Sequence, residues 1–190
     1  MQRHIILIGG PHGVGKTTVT DALSIRLKSI FESVATYDPG ELFWNYHINH
    51  TILHNHAIEN MIKDSLVGTS QFITLVNWHY AVWTPHGYIP QIPWELWEYI
   101  AGSTVINRLE LIHLTAPPEM IFERRKHDRI KNIKRRKLNL AAIETEIKQS
   151  DLLYNKHLNT AQAVRPGVRG YSVTNTSSDR TAEELATFLT

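Results

Sequence analysis

The stretch that most restricts the possible folds lies near the start of the chain. Residues 4–9 (HIILIG) form a short continuous apolar run. It is followed by Gly10-Pro11-His12-Gly13-Val14-Gly15-Lys16-Thr17. From Lys16 to about Phe31 the apolar positions Val19, Ala22, Leu23, Ile25, Leu27 and Ile30 fall near helical spacing. An unbroken apolar strand is buried on both faces, and such strands belong to parallel sheets covered by helices on either side. The residues between strand and helix fit G-x-x-x-x-G-K-[ST] at every fixed position, in the strand–turn–helix setting that a phosphate-binding loop requires.

The chemistry explains the spacing. Glycines at 10, 13 and 15 allow a tight turn whose N–H groups point inward at phosphate oxygens. Lys16 supplies a mobile positive charge for the β- and γ-phosphates, and the Thr17 hydroxyl is placed to bind Mg²⁺. Thr18 can reach the α-phosphate, and the helix aims its positive end at the same anion. Residues 10–18, with Pro11, His12 and Val14 inside the loop, are therefore read as the binding segment for ATP with Mg²⁺.

The remainder alternates strand and helix. Residues 33–38 and 71–77 (QFITLVN) read as strands, as do 109–114 (LELIHL) and 171–174. Helices are expected over 41–67, from Pro93 to about Ile100, over 117–129, from about Asn139 to Ala163, and over 178–189. Gly68 is the expected stop of the first of these, and Glu119 suits the first turn of the 117–129 helix. Residues 84–93 (TPHGYIPQIP), with three prolines and a glycine, read as a loop without regular structure. The pattern predicts one α/β domain over 1–190: a three-layer P-loop NTPase sandwich with a parallel central sheet, helices on both faces and a small lid.

The chain has no cysteine, which excludes disulfides and thiolate metal sites and fits a reducing compartment. The first apolar run is too short for a signal peptide, and no stretch approaches the roughly 18 apolar residues of a membrane span. A cytoplasmic location without membrane contact is the expectation. Charge is unevenly placed, since residues 124–137 (RRKHDRIKNIKRRK) hold nine of the 20 Lys and Arg against one Asp. Guanidinium forks suit phosphates, so Arg124, Arg125, Arg129, Arg135 and Arg136 read as a lid that closes over the transferring group. A nucleic-acid patch and a plain solvated face are the rival readings.

A phosphoryl-transfer site also needs a held metal and a placed acceptor. The 71–77 strand ends Val76-Asn77-Trp78-His79, with neutral Asn77 where an acid is expected. Asp38 is the nearest acidic alternative, able to orient metal-bound water or accept a hydroxyl proton, or to serve merely as a turn residue before Pro39-Gly40. His47, His50, His54 and His56 form a cluster in which His50 and His54 could share a metal on a helix. With only Glu59 nearby, a surface or interface cluster is the stronger reading. The tryptophans at 44, 78, 83, 94 and 97 read as core or pocket wall, one of them able to stack on a base.

Three segments resemble the archaeal-type adenylate kinases. They are GGPHGVGKTT at 9–18, the run from Asn77 to Leu96 containing His79 and Thr84-Pro85-His86-Gly87-Tyr88-Ile89-Pro90, and Ala116 through Asp128. The resemblance implies reversible transfer from Mg-ATP to AMP, an acceptor-binding region near 38–67, a lid near 126–140 and a homotrimer. It further implies that Arg124, Arg125 and Arg129 contact transferring phosphates, that His79 and Thr84 lie near the acceptor, and that the loop from Asn175 to Ser177 lies near the adenine. The chain departs from the pattern at Asn77, at Trp78, where a small residue is usual, and in a lysine-rich lid. Three activities follow: kinase of AMP or another nucleoside monophosphate, kinase of a hydroxyl acceptor with Asp38 as base, or an ATP-dependent RNA-binding factor using 124–137.

Overall fold

The computed structural model describes residues 3–40, 52–67, 72–130 and 138–190. Five parallel strands form the central sheet in the order β2–β3–β1–β6–β7. They are β1 (His4–Gly9), β2 (Val34–Tyr37), β3 (Ile73–Asn77), β6 (Arg108–Thr115) and β7 (Arg169–Thr174). In register, Ile8 of β1 stands beside Asn77 of β3, and Gly9 stands beside His113 of β6.

The central strand β1 is buried along its whole length, as its apolar run requires. Alternate residues feed two separate cores. Ile5 and Leu7 pack with Trp78, Tyr80, Trp97 and Tyr154 on one face. Ile6 and Ile8 pack with Val19, Leu23, Ala182 and Leu185 on the other. The first face is covered by α3 (Trp94–Gly102) and α5 (Leu140–Val164), the second by α1 (Lys16–Lys28) and α6 (Ser178–Leu189). The remaining described helices are α2 (Ile52–Val67) and α4 (Pro118–Ile130). This is the α/β sandwich that the alternating pattern predicts.

Local chemistry sets the boundaries. The buried positions of α1 (Lys16, Val19, Thr20, Leu23, Ser24, Leu27) recur at three- and four-residue intervals, one helical stripe turned to the sheet. Asn139 caps α5 by accepting from the Ala142 N–H at 3.0 Å. Pro93 stands at the N-cap of α3, one position before the first-turn site expected for it. β7 begins at Arg169, two residues before the strand expected over 171–174.

One element overturns its expectation. Residues 84–93 are not wholly irregular: β4 (Val82–Thr84) and β5 (Gly87–Ile89) form an antiparallel hairpin around Pro85-His86. Gly87, at φ 112°, supplies the turn conformation that a side chain would resist. Trp83 and Tyr88 are cross-strand partners, so aromatic pairing offsets the prolines. The expected helix over 41–51, its stop at Gly68, Trp44, His47 and His50, and lid residues 131–137 with Arg135 and Arg136 lie outside the described residues, as do the side chains of His54 and His56.

Candidate active site

The C-terminal ends of the parallel strands converge on one edge of the sheet, where open α/β sheets place their ligands. β1 runs into the loop at 10–15, Asp38 follows β2, and Asn77 closes β3. The loop fits its place through its glycines. A side chain at Gly10 would stand 2.2 Å from the Leu114 carbonyl oxygen, and one at Gly15 would stand 2.7 Å from Asn175 Nδ2. Gly15 also caps α1 at φ 94°, with no side-chain cap. The helix ladder begins with the Val19 N–H bonding to Gly15 O at 3.0 Å. The N–H groups of the first turn therefore have no intrahelical acceptor and face the loop, an arrangement that favours an anion.

Lys16 is 9% exposed and lies back along the loop, donating to Gly10 O (2.9 Å) and Pro11 O (3.1 Å). A cavity of about 920 Å³ opens over it, lined by Gly13, Gly15, Lys16, Thr17 and Thr18 on one side and by Asp38, Asn77 and His79 on another. Among the oxygen donors of its lining, Thr17 suits Mg²⁺, which takes one or two protein oxygens and completes its shell with phosphates and water. The loop, the ammonium and this hydroxyl thus fit a magnesium-bound triphosphate. Among the described residues no cluster of three or more His, Asp or Glu is arranged to hold a metal without one.

Asp38 is held from two sides. Asn77 Nδ2 donates to Asp38 Oδ2 at 3.1 Å, and the Gly40 N–H donates to Oδ1 at 2.9 Å. Asn77 Oδ1 in turn accepts from the Thr20 hydroxyl at 2.8 Å. The neutral amide at the end of β3 is therefore a bracket that ties α1 to the one carboxylate from β2. An acid at 77 would repel it. His12 and His79 face each other at 4.2 Å between ring centroids, and both line the cavity. The His79 N–H is fixed by Gln91 Oε1 at 2.6 Å.

The loop is gripped from behind. Arg124 donates to Val14 O (2.8 Å) and to Asn175 O (3.2 Å), and its side chain also lines the cavity. Burial lowers the Arg124 pKa from its usual value, though a guanidinium keeps its charge near neutral pH. Asn175 is fully buried and donates through Nδ2 to Val14 O at 2.7 Å, so its side chain supports the loop instead of reaching an adenine. Arg125 also differs from the expectation that it contacts transferring phosphates. It is 3% exposed, donates twice to His12 O (3.1 and 2.7 Å) and pairs with Glu146 at 2.7 Å. Arg129 is exposed and Thr84 donates within the hairpin to Gly87 O at 2.8 Å; neither lines the cavity. Glu146, which accepts the His12 N–H at 2.6 Å, carried no sequence signal.

Beneath the loop lies an aromatic floor. The Tyr80 ring fills the space that a side chain at Gly9 would occupy, and its hydroxyl donates to Ile112 O at 3.1 Å. Burial, followed by Tyr154, raises the Tyr80 pKa well above its usual value, so the phenol stays protonated. His113 stacks on Tyr154 at 5.0 Å and bonds through Nε2 to Ser150 Oγ at 3.1 Å. Burial pushes the His113 pKa down to about 4, with Lys16 adding to the effect and Asp151 opposing it.

The fold and this site define a P-loop nucleotide-binding protein of kinase-like architecture. A family model described as an AAA domain, AAA_18, matches residues 6–149, and the chain belongs to this family. Among solved structures it is similar to a shikimate kinase from Bacteroides thetaiotaomicron, at 14% identity and a TM-score of 0.57, covering 98% of each chain. It is also similar to a sugar kinase from Janibacter sp., at 14% identity and a TM-score of 0.50, covering 98% of this chain and 94% of that one. At such identities the likeness is one of fold. A comparison with curated protein sequences finds no match. No helix among the described residues is long and apolar enough to cross a membrane.

Proposed function

We propose that the protein is an ATP-dependent phosphotransferase that moves the γ-phosphoryl group to a hydroxyl acceptor. The observation that carries this reading is Asp38, bracketed by Asn77 and Gly40 and lining the same cavity as Lys16 and Thr17. The loop N–H groups and Lys16 hold the β- and γ-phosphates of the donor, and Thr17 would hold Mg²⁺. The metal supplies charge neutralisation between those phosphates. Asp38 accepts the proton of the acceptor hydroxyl as its oxygen attacks γ-phosphorus and the bond to the β-phosphate oxygen breaks. Arg124 adds positive charge beside Gly15, where charge accumulates during transfer.

A second reading rests on a different observation. His12, His79 and Arg124 line the cavity together, and the Arg124 cation with the two imidazoles as hydrogen-bonding groups would suit an acceptor that is itself a monophosphate, as the resemblance to adenylate kinases implies. A carboxylate at Asp38 counts against it, because it repels a second anion. An ATP-dependent assay over paired nucleosides and nucleoside monophosphates separates the two. Turnover confined to the monophosphates would sink the hydroxyl reading, and failure to bind Mg-ATP would sink both.

A further inference from the structure

The β4–β5 hairpin takes no part in the phosphoryl transfer described above, yet it walls a second cavity of about 410 Å³. Trp83 and Tyr88 line it from the hairpin, Ala142 and Thr145 from α5, and the Arg125–Glu146 pair completes the lining with His12. His12 lines this chamber as well as the phosphate cavity, so the two meet at the tip of the loop. The volume is within the range of small-molecule sites.

The lining limits the occupant. The Arg125 and Glu146 charges neutralise each other and are already engaged with His12, so no charged end of a ligand is needed there. Trp83 keeps 56% of its surface exposed, a large aromatic that the hairpin does not bury. Its cross-strand partner Tyr88 has its pKa raised by burial and by Glu146, so it presents a protonated hydroxyl. The Thr145 hydroxyl donates to Ala141 O at 2.8 Å, which leaves its oxygen as an acceptor. Aromatic walls with a few neutral polar groups suit a flat heterocycle, which stacks on one and bonds at its edge to the other.

We propose that this chamber holds the ring of the phosphoryl acceptor, so that the acceptor is a hydroxyl compound carrying a flat heterocycle, with nucleosides the simplest class. The ring lies against Trp83 and Tyr88, and the hydroxyl passes His12 toward Asp38. The inference rests on the phosphotransferase reading for what the ligand does, but its binding is measured separately.

The test is calorimetric titration of the full chain, with the ATP site filled by a non-hydrolysable ATP analogue and Mg²⁺, using adenosine, uridine and D-ribose. Both nucleosides should bind, with ribose at least about tenfold weaker, since stacking on an aromatic side chain contributes that much or more. Trp83→Leu should weaken nucleoside binding about tenfold without changing affinity for the ATP analogue. Ala142→Trp, which fills the chamber from α5, should abolish nucleoside binding and serves as a second variant should the hairpin be disturbed by the first. Nucleosides binding no better than ribose, or unchanged in both variants, would overturn the proposal. Separately, a protein that binds nucleosides through Trp83 but transfers phosphate to no hydroxyl compound would lose the phosphotransferase reading and keep this site.

Discussion

Arg125 Nη2 meets Glu146 Oε2 at 2.7 Å, and the two residues hold opposite sides of His12: Glu146 accepts its N–H and Arg125 donates to its carbonyl. Arg125 belongs to α4, where the basic segment begins, and Glu146 to α5, the helix that follows that segment in the chain. The tip of the phosphate loop is thus tied to both roots of the expected lid. His12, so tied, is also the residue shared by the two cavities.

Breaking that tie should be expensive. Arg125→Met or Glu146→Gln alone leaves the other group buried without its partner and should cost about 3–5 kcal/mol in urea denaturation. The double variant Arg125→Met/Glu146→Leu should recover much of the stability, because a buried ion pair exchanged for apolar side chains is often neutral. It should not recover ATP affinity, since His12 has lost the groups that fix its peptide. A double variant that binds ATP normally would show that the tie is structural only.

Lys16→Met should leave the fold intact and lower the transfer rate on the order of a thousandfold or more, because cationic groups on the moving phosphate contribute that range. The ammonium donates to Gly10 O and Pro11 O within the loop, and methionine keeps an unbranched stem of similar length in its place. Single-turnover measurement at saturating ATP separates lost chemistry from lost binding. A rate within tenfold of the unaltered protein would place the ammonium outside the reaction.

Asp38→Asn should reduce kcat by about 10²–10⁴, the usual contribution of a general base, with little change in ATP affinity. Asn77→Asp tests the bracket. It sets a second carboxylate about hydrogen-bond distance from the first, and like charges so close cannot both remain in place. The added acid should therefore lower activity even though it places an acidic residue at the end of β3. A gain in kcat would show instead that residue 77 serves the metal directly.

Parts of this site were legible in the sequence because they are local. Gly10 to Thr17 carries its own geometry: the glycines, the lysine and the following helix lie within a few residues of one another. The parallel sheet followed from apolar runs such as Ile5–Ile8. Asp38 could be named as a candidate, but its bracket joins residues 39 apart, and no periodicity brings Asn77 to it. The partnership of Glu146 with His12 spans 134 residues and depends on how α5 docks, so the helix pattern registers Glu146 only as one polar position among several. The hairpin had a signal that its prolines masked: Val82, Trp83 and Thr84 face Tyr88 and Ile89 across a two-residue turn closed by glycine. The charge of Arg125 suggests a phosphate partner, whereas its guanidinium bonds the His12 carbonyl and the distant Glu146 carboxylate, neither of which leaves a trace in side-chain spacing.

The aromatic floor predicts how stability depends on pH. His157 is fully buried among Tyr80, Trp94 and Trp97, and its Nδ1 lies 2.7 Å from Leu153 O. A carbonyl can only accept, so Nδ1 carries the proton and Nε2 is bare, with no hydrogen-bond partner among the described residues. Burial pushes its pKa down to about 4, with Lys156 adding to the effect and the Leu153 carbonyl opposing it. His113 is likewise held at about 4. In the unfolded chain each imidazole titrates near 6.5. Folding therefore favours the neutral form, a contribution fully present above pH 6.5 and lost as the pH falls from there toward 4. Each imidazole should withdraw on the order of 3 kcal/mol over that window. Urea midpoints measured from pH 7.5 to 4.5 should fall, and His157→Phe should flatten part of the decline while leaving the His113 share. A decline identical in the variant would show that the His157 ring takes up its proton in the folded protein as readily as in the unfolded one, and that the floor is open to water.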